Sequence, residues 1–139
     1  MRSIIFPYTL YKGRRDPIIP LHLQGPRGWV PIWAYVDSGA SFSILSSQSA
    51  NRLGLQMSRG LRTNVVVGDG GLIPVYVHRL PIRIGTVELK VRVGFSPRLG
   101  TGFDLLGRQD IFSHFDVTFS DTRKRILFTP VVRKSVSSH

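Results

Sequence analysis

The stretch with the clearest capacity for chemistry is Ala34-Tyr35-Val36-Asp37-Ser38-Gly39-Ala40-Ser41, an apolar run that ends in one acid and continues with a hydroxyl, a glycine and small residues. A carboxylate at the end of an apolar strand is costly to desolvate unless donors surround it. Ser38 can supply a hydroxyl, and Gly39 lets backbone N–H groups approach closely. An acid held in this way suits proton transfer. The same residues also suit an Asx turn, in which Asp37 bonds its own backbone and Gly39 takes φ > 0. On this short motif alone both readings stay open.

The elements that must position Asp37 read as strands. Ile18 to Leu23, a turn over Gln24-Gly25-Pro26-Arg27-Gly28, and Trp29 to Val36 form a hairpin that delivers the acid. Ser46 to Gly54 has a serine for the N-cap and a glycine just past the end, the asymmetry of a short helix. Two apolar strands, 64–67 and 72–77, flank Gly68-Asp69-Gly70-Gly71. That tip is either a tight hairpin turn, with Asp69 solvated, or a lid over a ligand. Val87, Leu89, Val91 and Val93 alternate with Glu88, Lys90 and Arg92, a half-buried strand with a charged outer face. In Phe103-Asp104-Leu105-Leu106-Gly107-Arg108 a buried strand reaches a glycine and then a second short helix, before strands at 115–119 and 126–128.

Many short strands, glycine-marked turns and two short helices predict an all-β, small closed or sandwiched domain. With 139 residues and 42% apolar content, one core is expected. The expected organisation is an irregular N-terminal arm over 1–17, which could also serve as a dimerisation strand, one domain over 18–132, and a polar tail over 133–139. The chain has no cysteine, which excludes disulfides, thiolate metal sites and a cysteine nucleophile. No apolar run approaches the roughly 18–20 residues of a membrane span, and the first residues are too soon broken by Pro7 for a signal peptide. A soluble cytoplasmic protein without a membrane partner is the expectation. The net charge of +11 raises the question of polyanions, but the arginines are scattered from Arg2 to Arg133 without a phosphate loop or an RNA-binding aromatic signature. Specific nucleic-acid binding is therefore not expected. His22, His78, His114 and His139 lack ligand spacing, and no Gly-x-Ser-x-Gly elbow is present. No metal and no cofactor are expected.

Taken together, the Asp37-Ser38-Gly39-Ala40 run, the glycine-rich hairpin some thirty residues later, and Leu105-Leu106-Gly107-Arg108, with Gly107 70 residues beyond Asp37, resemble the retropepsin-like aspartic protease family. The resemblance spans roughly Ile18 to Phe128. It implies the small closed β-barrel-like acid protease fold, with Asp37 as catalytic acid, Ser38 bracing two active-site loops and Gly39 bringing its N–H to the carboxylate. It implies substrate contacts from Ala40 and Ser41, from a flap over Gly68, Asp69, Gly70, Gly71, Leu72 and Ile73, and from Leu105, Leu106 and Arg108.

One such motif is half a site, because the mechanism needs two carboxylates sharing a proton. A C2 homodimer with paired Asp37 residues is therefore expected, cutting peptides or unfolded protein by water activation. Two departures stand out. Retroviral members carry an acid where this chain has Ser41, so Arg108 lacks its familiar partner, and Asp110 is a candidate substitute. Ala40 offers no hydroxyl to the carboxylate, which points to a mildly acidic optimum. The alternative is a non-catalytic dimeric peptide- or polyanion-binding module on the same fold.

Overall fold

A computed structural model describes residues 2–66, 69–99 and 103–132. Gly68 of the expected flap and the expected tail over 133–139 lie outside the described residues. The strands are β1 (Ile4–Pro7), β2 (Thr9–Tyr11), β3 (Arg14–Asp16), β4 (Ile18–Gly25), β5 (Gly28–Val36), β6 (Ile44–Ser46), β7 (Leu61–Val66), β8 (Leu72–Ile84), β9 (Val87–Ser96), β10 (Asp104–Leu106), β11 (Phe115–Ser120) and β12 (Arg125–Pro130). One α-helix, α1 (Ser47–Leu53), and a 3-10 turn over Met57–Arg59 complete the described residues.

The main sheet has the order β4-β5-β10-β6-β9-β8-β7, and β8 also pairs with β4 through His22↔Arg83 and Leu23↔Ile82. That second pairing turns the sheet into a closed all-β ring with β7 branching from it. Closure gives the end strand β4 a second partner and removes its exposed edge. Inward-facing residues follow the period of two. On β9, Val91 and Val93 are buried while Arg92 between them is exposed, as the alternation in the sequence predicts. Ile19, Leu21 and Leu23 from β4, Ile32, Ala34 and Val36 from β5, and Ile82 and Ile84 from β8 fill the same core.

A second sheet, β1-β12-β11, packs against the ring. Phe128 of β12 is its centre, meeting Phe115 edge-on at 5.4 Å and Phe6 edge-on at 5.9 Å between ring centroids. The region expected as an irregular arm is therefore built of strands. β1 pairs with β12 in antiparallel register, and β2 and β3 form a hairpin. Tyr8 locks the two together: it is buried, its N–H donates to Lys124 C=O at 2.8 Å, and its hydroxyl donates to Asp121 Oδ1 at 2.8 Å. Burial, reinforced by the Asp121 carboxylate, pushes the Tyr8 phenol up to about 12.

Helix α1 forms where the caps predict it. Ser46 Oγ accepts from Ser49 N–H, and Gly54 terminates the helix at φ 78, donating to Asn51 C=O. The second expected helix, after Gly107, is a run of turns instead. Ile111 and Phe112 both donate to Arg108 C=O, at 3.1 and 2.9 Å, so one helical turn starts there. Asp110 interrupts it at φ 65, a left-handed conformation that an L residue adopts only with compensation. The compensation is Arg92 on β9. Arg92 donates its backbone N–H and Nε to Asp110 Oδ2 and its Nη2 to Oδ1, each at 2.9 Å.

This forked pair ties the turn to the ring and holds the Asp110 carboxyl down at about 2 against an ordinary 3.8. A depressed carboxylate stabilises the fold above its unfolded value and loses that contribution as pH falls through its folded value. Because Arg92 is half exposed, the contribution is on the order of 1 kcal/mol. In urea unfolding, Asp110→Asn should be less stable than the parent by that constant amount above about pH 5, and the gap should close between about pH 4 and pH 2. A gap that stays the same at pH 2 and pH 7 would mean that the ion pair is not its source.

Candidate active site

Asp37 follows β5, which runs parallel to β10 with Leu106 opposite Val36. The loop 37–43 then leaves the sheet and returns as β6, which pairs with the other edge of β10 through Leu105↔Ile44. β10 is thus inserted between the two strands that bracket Asp37. Asp37 N–H donates to Leu106 C=O at 3.0 Å and fixes the acid to the strand end. Arg108 N–H then donates to Ala40 C=O and Gln109 N–H to Ser41 C=O, both at 2.9 Å, so the second strand's exit grips the first strand's loop.

Within the loop, Ala40 N–H donates to Asp37 C=O at 3.1 Å and Gly39 N–H donates to Asp37 Oδ1 at 2.9 Å. The Asx bond is therefore made, but without a left-handed glycine, because Gly39 is not among the positive-φ residues. What Gly39 supplies is clearance: a Cβ there would sit 3.3 Å from Asp37 Oδ1. Asp37 is half-buried and its Oδ2 makes no hydrogen bond among the described residues. Ser38 is exposed and its hydroxyl also makes no hydrogen bond among the described residues.

Two buried polar residues that sequence reasoning passed over hold this arrangement. Ser43, 2% exposed, accepts Gly107 N–H on its Oγ at 3.0 Å and Gly94 N–H on its C=O at 2.9 Å. It thereby joins the Asp37 loop to β10 and β9. Asp104, 8% exposed, accepts Ser46 N–H at 2.9 Å and Ser49 Oγ–H at 2.5 Å. Its carboxylate sits at the start of α1, where the donors of the first turn are unsatisfied. The signal for Asp104 was an acid at an inward-facing position of a buried strand; for Ser43 no local pattern exists, since its partners lie more than fifty residues away in sequence.

The expected flap is the β7–β8 hairpin, in register Val65↔Ile73 and Val66↔Leu72. Its two faces differ. Ile73 is buried with Ile44 and Val75 in a small second core, whereas Leu72 is 64% exposed. Asp69 is exposed and its Oδ1 accepts Gly71 N–H at 2.8 Å, with Gly70 at φ 85, which makes the tip an Asx-stabilised turn. Leu106 points into the core, so it serves the site through its carbonyl, while Leu105 lies half-buried on the face of Tyr35.

Asp110 does not pair with Arg108 but with Arg92, which corrects the suggested substitution. The exposed Arg108 side chain makes no ion pair among the described residues. With Ser41, Gln109, Asp110, Phe112 and Ser113 it lines an open cleft of about 420 Å³. No group of three or more His, Asp or Glu among the described residues is arranged to hold a metal ion.

Gly107 is the tightest point of the arrangement. A Cβ on it would lie 2.2 Å from Phe42 O and 2.9 Å from Ala40 O, against backbone that has nowhere to go. Gly107→Ala should destabilise the fold by about 3 kcal/mol and displace the Asp37 loop. Thermal unfolding checks the first effect and amide chemical shifts of 37–43 the second. An unchanged melting temperature would show that the loop and β10 are not held in this contact.

Comparison with known proteins follows the same outline. The family model described as aspartyl protease matches residues 19–109, which include Asp37, the hairpin and Arg108. Among solved structures, a retropepsin-like aspartic protease from Rickettsia conorii superposes with a TM-score of 0.61 at 19% identity, covering 91% of this chain and 89% of that one. EIAV protease complexed with the inhibitor HBY-793 gives 0.54 at 20% identity, covering 72% and 88%. The retroviral protease-like domain of Ddi1 from Leishmania major gives 0.52 at 20% identity, covering 83% and 94%. No curated protein matches the chain. The match of the family model over most of the chain, together with a closed all-β fold shared with retropepsin-like structures, places the chain in the aspartyl protease family.

Proposed function

We propose that the chain is an aspartic endopeptidase that works as a homodimer. The observation that carries this reading is the state of its carboxylates. Asp37 presents one oxygen without a partner among the described residues at the end of β5. Asp104 is buried against α1, and Asp110 is committed to Arg92. Of the three acids beside the β5–β10 crossing, one is therefore suitable, and the family's chemistry needs two.

Two chains related by a two-fold axis supply the pair, Asp37 beside Asp37. Like charges about 3 Å apart cannot both ionise comfortably, so the pair holds one proton between them. The ionised member takes a proton from water as it attacks the peptide carbonyl. The protonated member donates to the developing oxyanion and then to the leaving nitrogen. Ser38, whose hydroxyl makes no hydrogen bond among the described residues, braces the paired loops in this reading. Leu72, with Asp69 to Gly71 beside it, is the part of the hairpin free to meet an extended peptide, while Ile73 supports the hairpin from below. Ala40, Ser41 and Arg108 line the approach. In this reading the substrate is a peptide or unfolded protein and the compartment is the cytoplasm, which a cysteine-free chain suits.

Cleavage of an unfolded protein by the parent across about pH 3 to 8, read as new termini by mass spectrometry, should fall at least about 10³-fold in Asp37→Asn. Titrating the parent with excess Asp37→Asn chain should also suppress activity, because mixed dimers hold a single carboxylate. If a folded, dimeric parent cleaves nothing in that range, the enzyme reading fails and salt-sensitive binding of a polyanion becomes the function to measure. Activity that scales linearly with concentration and ignores the added variant would sink the homodimer.

A further inference from the structure

The outer face of the ring, across β5, β4, β8 and β9, has no place in the chemistry above. Leu21, Leu23, Ile82 and Val91 point into the core, so the residues between them on these strands point outward. One row, read from the pairing register, crosses all four strands: Pro31, His22, Arg83 and Glu88. Trp29 and Trp33 flank Pro31 on β5, while Arg79 and Lys90 extend the face on β8 and β9. At the end nearest Asp37 the face is covered. There Ile18, opposite Tyr35, is 1% exposed, and its C=O accepts the Thr9 hydroxyl of β2 at 2.6 Å. Trp33 is 51% exposed and Pro31 is exposed, so the face is open away from that end. Trp29 stands eight positions before Asp37, up to about 27 Å along the strand.

The register gathers on this face cations that the sequence scatters. Arg83 lies over Trp29, its guanidinium carbon 4.1 Å from the ring centroid, and its Nη2 donates to Glu88 Oε1 at 2.9 Å. Glu88 is the one acid in these rows, and Arg83 already engages it. Arg52 of α1 donates to Pro31 C=O at 2.7 Å, which brings a further cation to the edge of β5 between the two tryptophans. Arg52, Arg79 and Lys90 are exposed and make no ion pair among the described residues. Both tryptophans of the chain and a surplus of positive charge therefore share one sheet face.

A single nucleic-acid strand matches that combination, because its phosphates take the cations and its bases stack on aromatic rings. Trp29 and Trp33, four residues apart on one strand, are about 13 Å apart, so a strand laid along β5 can place separate bases on each. A duplex keeps its bases stacked inside. A bilayer favours protruding apolar side chains in a group, whereas Trp33 is the one large apolar residue exposed on this face.

We infer that the outer face of β5, β4, β8 and β9 binds single-stranded nucleic acid without sequence preference, stacking bases on Trp29 and Trp33 and holding phosphates with Arg52, Arg79 and Lys90. The inference uses neither Asp37 nor peptide cleavage, so it stands or falls apart from the endopeptidase reading. In the test, the parent protein is titrated with oligothymidylate of about 12 nucleotides. Labelled strand is followed by anisotropy, and unlabelled strand by the protein's own tryptophan emission. Because both tryptophans lie on this face, binding there should quench that emission. Affinity should fall steeply between about 50 and 200 mM salt. Trp33→Ala should weaken binding about 10-fold, while Trp33→Phe, which keeps a ring, should retain most of it. Lys90→Gln should lower the slope of log affinity against log salt by about 0.7, the share of one phosphate contact.

Absence of binding overturns the inference, as does binding that leaves tryptophan emission unchanged. Equally tight binding of the matching duplex or of heparin would show an ordinary basic surface and overturn it as well. Vesicles containing phosphatidylserine that bind where the oligonucleotide does not would assign the face to a membrane instead. Should Trp33→Ala fail to fold, the Lys90→Gln slope decides, and an unchanged slope counts against the face.

Discussion

Everything at the candidate site depends on a three-residue strand threaded between two others. β10 has Asp37's strand on one side and the returning β6 on the other, and the loop between those strands must pass over its end. Backbone polar groups drawn together in a crossing of this kind must find partners. They do: Asp37 to Leu106, Arg108 to Ala40, Gln109 to Ser41, and Gly107 to the Ser43 hydroxyl. Such a crossing has almost no slack, and Gly107 is where the slack is smallest. The acid is fixed in place by backbone geometry, and among the described residues its side chain adds only the bond from Gly39.

Much of this was readable in the sequence because local rules agreed with the global fold. The strand hairpin leading to Asp37, the alternation on β9, and helix α1 with both its caps follow from patterning and capping chemistry alone. Where the reading failed, a long-range interaction overrode a local preference. Asp110 sits within a helix-like turn, and a fork from Arg92 eighteen residues away pulls it into the left-handed region. Residues 4–16 look irregular because Pro7, Gly13 and Pro17 break them into short pieces. Their strand character comes from a partner at the far end of the chain and from the Tyr8 anchor. Ser43 was invisible for the same reason, and Asp104 showed only as an acid at an inward-facing strand position: buried polar residues are chosen by what they must satisfy, and here those groups come from other elements.

The two faces of the β7–β8 hairpin divide its labour. Ile73, Val75 and Ile44 make a small core that gives the hairpin its own support, separate from the main core of the ring. Leu61, Val66 and Leu72 remain exposed, on a strand pair that joins the ring only through β8. A segment with few contacts to the main core opens at lower free energy than the ring beneath it. That combination suits an element that must clear a cleft and settle over it again.

The pairing of β1 with β12 has a consequence for how the chain reaches this structure. Ile4 pairs with Phe128, 124 positions further along the chain, so the second sheet joins segments from far apart in sequence. Closing so long a loop adds little entropy beyond a shorter one, but it cannot begin until β12 exists. During synthesis β1, and the Phe6 ring it carries, must wait without a partner while the hairpins of the ring form around them. The sheet that fastens the N-terminal strands therefore cannot assemble before β12 is made, and the surface it later covers is open to association with other chains in the interval.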